Sequence, residues 1–96
     1  MPMPFSFAFS DKLKGIIEKL RARDPKKAEI IEKKVRQIID LDEFTIEHYK
    51  NLRYDLKHLK RVHIDRSFVL TFRYYREQKF ILFLDFDHHD NIYGKR

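Results

Sequence analysis

The chain has no cysteine and no apolar run long enough to cross a bilayer. The first absence excludes a disulfide framework and any thiolate metal site. The second excludes a transmembrane helix, which needs about 20 mostly apolar residues. The N-terminus shows no secretory signal pattern, and no internal repeat or low-complexity tract interrupts the chain. These absences predict a soluble cytoplasmic protein without a membrane partner. What the chain does have is a surplus of cations: 21 Lys and Arg against 15 Asp and Glu, a net charge of +6. On so small a surface that surplus favours an anionic partner such as nucleic acid. A hydrophobic content of 43%, with 15% aromatics, is ample for one core, and 96 residues leave room for a single domain over 1–96.

Phe5, Phe7 and Phe9 alternate with Ser6, Ala8 and Ser10, the period of a strand with one aromatic face buried. Ser10 or Asp11 caps a helix whose apolar stripe is Leu13, Ile16, Ile17 and Leu20 and which ends near Asp24. Asp24-Pro25 is a cap followed by proline at the first helical position, and Ala28, Ile31, Val35, Ile38 and Ile39 carry a second stripe to about Leu41. So short a link predicts a helical hairpin. The stretch from Asp42 to Leu59 is ambiguous. Strands follow over Lys60 to Ile64, Ser67 to Tyr75 and Lys79 to Asp87, with polar turns between them, which makes an antiparallel meander. The fold class is α+β, β-α-α-β-β-β, with the helical hairpin on one face of a mainly antiparallel sheet. Strict alternation puts Val62, Ile64, Phe68, Leu70, Phe72, Tyr74, Phe80, Leu82, Leu84 and Phe86 under the helices. The opposite face then carries Arg61, His63, Val69, Thr71, Arg73, Ile81, Phe83, Asp85 and Asp87, an open and basic platform.

The cations and histidines between Lys50 and Ile64 sit on the approach to a strand, a placement that suits RNA phosphate and proton transfer. Asp85, Asp87, His88, His89 and Asp90 hold metal-ligand atoms, but consecutive residues rarely converge on one ion, and the plain reading is a hydrated strand end. The basic residues of the two helices read as solvated faces, and the N-terminal phenylalanines as core.

Four segments together resemble the RelE/ParE superfamily of type II toxins, and most closely its YafQ-like branch. They are Lys50-Asn51-Leu52-Arg53, Leu59-Lys60-Arg61-Val62-His63-Ile64, Phe68-Val69-Leu70-Thr71-Phe72 and His88-His89-Asp90-Asn91-Ile92-Tyr93. The resemblance implies an mRNA interferase, an endoribonuclease that enters the ribosomal A site, uses no metal or other cofactor, and is neutralised by a cognate antitoxin. It implies that His63 and His89 are the acid–base pair, with Lys50, Arg61 and Tyr93 completing the catalytic set. Lys57, Lys60, Arg66, Arg73 and His48 are the implied RNA-binding residues. The chain departs from the pattern in places. It has Lys50 where YafQ-like members tend to have histidine, His58 for a common glycine, and Ser67 for a frequent aspartate. Val69 stands where RelE-like members carry an arginine, which leaves that phosphate contact to Arg66 or Arg73. Two alternatives share the fold: a ParE-like topoisomerase inhibitor, which generally lacks paired histidines, and an RNA-binding module without catalysis.

Overall fold

The computed structural model describes residues 5–49 and 59–93. Its elements run β1 (Ser6–Phe9), α1 (Asp11–Arg23), α2 (Pro25–Ile39), α3 (Glu43–Glu47), β2 (Lys60–Ile64), β3 (Phe68–Tyr75), β4 (Phe80–His88) and α4 (His89–Tyr93). The strands form one sheet in the order β1-β4-β3-β2, with β1 parallel to β4 and the other pairs antiparallel. This is the expected α+β architecture, with α1 and α2 packed on one face.

Each helix starts where a side chain can satisfy an unpaired backbone N–H. Ser10 is extended, and its Oγ accepts from the Leu13 amide at 3.0 Å. Asp24 ends α1 and caps α2, accepting from Lys27 N–H at 3.3 Å ahead of Pro25. Asp42 does the same for α3, accepting from Thr45 N–H at 2.7 Å, which gives the ambiguous segment a short helix. Ion pairs at 2.9 Å from Glu43 to Lys79 and 3.0 Å from Glu47 to Arg76 hold α3 over the β3–β4 turn. Leu13 and Ile17 of α1, Ile31, Val35 and Ile38 of α2, and Ile46 of α3 meet Leu70, Phe72, Ile81, Phe83 and Phe86 in the core.

Strict alternation fails in β4. Thr71 pairs with Asp85, but the next residue, Phe72, pairs with Phe83, so Leu84 is an extra residue in a bulge. The bulge inverts parity toward the strand's start. Ile81 and Phe83 are fully buried on the helix side, while Phe80 and Leu82, expected there, are only half-buried. Phe86, beyond the bulge, keeps its expected face. The opposite face also departs from the open platform expected: Val69 and Thr71 are buried, because the chain turns after His88 into α4, which packs back on β3 and β4.

Candidate active site

His63 lies in the middle of β2, on the face away from the helices, in register with Val69. His89 opens α4, and its backbone N–H donates to the Ser67 carbonyl at 2.6 Å. That bond ties the start of α4 to the turn directly after β2. The two imidazoles consequently lie against each other, with centroids 5.5 Å apart and planes 28° from parallel. His63 is exposed and the His89 side chain is 44% accessible, so the pair is open to solvent. His88 goes the other way. Its ring meets Phe68 edge-on at 5.5 Å, on the side where the Lys27 ammonium covers Phe68 at 3.9 Å. The Asp90 carboxylate stands 3.8 Å from His88 Nδ1 and 3.6 Å from His89 Nδ1, while the Asp90 backbone N–H donates to His88 Nδ1 at 3.2 Å.

Arg61 shares the His63 face of β2 and pairs with Thr71. Arg66 is exposed in the turn that holds His89, and Arg73 is exposed further along β3, its guanidinium 4.8 Å from the centre of the Tyr75 ring. Tyr93 ends α4, on the same element as His89. Lys50 and Lys57 lie outside the described residues.

Two of the expected RNA contacts are placed elsewhere. Lys60 shares the helix-facing side of β2 with Val62 and Ile64, and its Nζ donates to the carbonyls of Glu47 and Tyr49 at 3.1 Å each. It closes the C-terminal end of α3, where carbonyls lack helical partners. Burial pulls its ammonium below the usual lysine range, and the charge of Glu47 opposes that shift. His48 is the C-cap of α3. Its Nδ1 lies 2.7 Å from the Phe44 carbonyl and its ring 4.3 Å from that of Phe44. The fold therefore gathers His63, His89 and Arg61 with Arg66 and Arg73 at the margin, and sends Lys60 and His48 to α3.

The short C-terminal helix escaped the sequence reading, although a signal for it exists. Asp87 Oδ1 accepts from His88 N–H at 2.7 Å and from Asn91 Nδ2 at 2.9 Å. His88, directly ahead of the turn, accepts from Asp90 N–H through Nδ1 at 3.2 Å, so side chains of both residues before α4 bond to its first turn. Reading them as a helix start would have separated His88 from His89 and brought Asn91 and Ile92 onto the sheet. Among the described residues, no group of three His, Cys, Asp or Glu is placed to hold a metal ion.

No protein-family model matches the chain. Among curated proteins, it is 50% identical over 84 residues to a Methanocaldococcus jannaschii protein named "Putative toxin RelE4", covering 88% of this chain and 85% of the relative. It is 42% identical over 82 residues to an uncharacterized protein of Methanosarcina mazei, covering 85% and 91%. Among solved structures, it superposes on a chain of the RelBE2 toxin–antitoxin complex of Mycobacterium tuberculosis. The TM-score is 0.63 at 20% identity, over 90% of this chain and 99% of that one, a likeness of fold. With half of the 84 aligned residues identical, over most of both chains, to the protein named "Putative toxin RelE4", this chain belongs to the RelE superfamily of toxins.

Proposed function

We propose that this chain is the toxin of a toxin–antitoxin pair and that it cuts mRNA in the ribosomal A site, with His63 and His89 as general base and general acid. The observation that carries the reading is the contact between the two imidazoles, 5.5 Å apart on a solvent-open surface with Arg61 on the same face. In such a cleavage the RNA 2′-oxygen attacks the adjacent phosphorus as the bond to the 5′-oxygen breaks. One imidazole takes the proton of the 2′-hydroxyl and the other delivers a proton to the leaving oxygen. The products are a 2′,3′-cyclic phosphate and a 5′-hydroxyl. A ring pair at this separation suits the two oxygens on opposite sides of one phosphorus, and imidazole serves either role near neutral pH. Arg61, with Arg66 and Arg73 at the rim, supplies positive charge for the crowded phosphate oxygens. The net charge of +6 suits docking on ribosomal and messenger RNA, and equally an antitoxin with an acidic segment laid over the basic face.

The test is primer extension on an mRNA translated in a purified system, with and without ribosomes, comparing wild type with His63→Ala and His89→Ala. Cuts that require both ribosomes and both histidines are expected. Intact mRNA at growth-inhibiting concentrations of the protein would reject the nuclease and leave topoisomerase inhibition or RNA binding alone.

A further inference from the structure

Thr71 carries a buried hydroxyl on the His63 side of the sheet. The residue is 3% exposed, and its Oγ1 has no hydrogen-bond partner among the described residues, an arrangement that costs free energy unless something else supplies the bond. Thr71 lines a cleft of about 490 Å³ between the sheet and α4. Leu59, Leu84 and Ile92 give the cleft apolar walls, and Asp85 and Asn91 add polar atoms. The Asn91 amide nitrogen already donates to Asp87 at 2.9 Å, which turns its carbonyl oxygen to other donors. The Asp85 carboxylate accepts from Lys12 Nζ at 3.0 Å and from Phe86 N–H at 2.8 Å, which fixes its position while leaving it capacity to accept more.

The cleft adjoins the histidine pair. Thr71 is two residues along β3 from Val69, the partner of His63, so at about 3.3 Å per residue it begins roughly 7 Å from that histidine. α4 contributes His89 to the pair and Asn91 and Ile92 to the cleft. Arg61, in register with Thr71, stands where the two regions meet, and inside the cleft the Lys12 ammonium is engaged by Asp85 while Asp87 adds a second carboxylate. Apolar walls with a hydroxyl, a carboxylate and an amide oxygen suit a flat ring that presents N–H donors.

We propose that this cleft is a nucleobase subsite, which seats beside the scissile phosphate a base bearing an exocyclic amino group, with Thr71, Asp85 and Asn91 accepting its hydrogens. The inference rests on the ribonuclease reading above. Adenine, cytosine and guanine carry such a group, and uracil does not.

The test does not depend on cleavage. AMP, CMP, GMP and UMP are titrated into ¹⁵N-labelled protein while the amide signals of Thr71, Leu84, Asn91 and Ile92 are followed. The first three nucleotides should shift these signals with about tenfold tighter binding than UMP, the discrimination one good base contact gives. Thr71→Val should remove the difference, with the remaining spectrum unchanged. Asn91→Ala, at an exposed position, should narrow it as well and serves if the valine variant does not fold. If no nucleotide moves these amides, if UMP moves them as strongly as the others, or if both variants keep the wild-type preference, the subsite is rejected whether or not the protein cuts RNA. Failure of the primer-extension test with these shifts present would instead reject the nuclease and leave a base-binding cleft.

Discussion

Ser10 Oγ donates to the Leu84 carbonyl at 2.6 Å while accepting from Leu13 N–H at 3.0 Å. One hydroxyl thus joins the start of α1 to the bulge that sets the faces of β4. Ser10→Ala loses the cap and the tie together and is expected to cost about 1–2 kcal/mol, the upper part of the range for N-caps. Urea unfolding checks it, with a lower midpoint and an unchanged slope.

The inverted parity of β4 makes its own prediction. Phe83 is fully buried between Phe9 and Phe72, whereas Leu82 is half-buried on the other face. Phe83→Ala should destabilise by about 3–5 kcal/mol and Leu82→Ala by well under half of that. Equal losses in denaturation would mean that β4 does not carry its bulge at Leu84.

The opposite headings of His88 and His89 separate two neighbours of identical chemistry. Under the proposed mechanism, His89→Ala should lower cleavage by about 10²–10⁴, the usual contribution of a positioned acid or base. His88→Ala, against Phe68 on the helix side, should leave the cutting rate within a few-fold of wild type. Single-turnover cleavage of a ribosome-bound message distinguishes them, and the reverse order would mean that His88 is the group at the site.

Asp42 gives α3 an acid-sensitive start. The amide and side chain of Thr45 hold its carboxyl below the ordinary 3.8, so the folded state keeps the charged form to lower pH than the unfolded chain does. Its contribution is fully present above the unfolded value and is lost as the pH falls through the folded one. Asn also caps helices but does not titrate there. Asp42→Asn should therefore lose less stability than wild type between about pH 7 and pH 3. Parallel denaturation curves at the two pH values test this, and equal losses would mean that Asp42 contributes nothing to the acid sensitivity.

The order of the main elements is legible in the chain alone. Ser10 and Asp24-Pro25 punctuate the helices, the spacing of Leu13 to Ile39 is helical, and alternation with polar turns marks the meander. Those signals are local, because caps and turns act on their own neighbours. The histidines, read through a family resemblance, were also nameable from the chain alone. Which side chains meet depends instead on how distant segments pack. The bulge at Leu84 arises where β4 pairs with β3 and where Ser10, distant in sequence, reaches its carbonyl. It reassigned Ile81 and Phe83 to the core. The Ser67–His89 backbone bond turned the chain into α4, brought His89 to His63, and covered Thr71. Lys60 left the basic face because the carbonyl end of α3 lies within its reach. Each of these outcomes depends on a contact between segments far apart in the chain, and periodicity carries no information about such contacts.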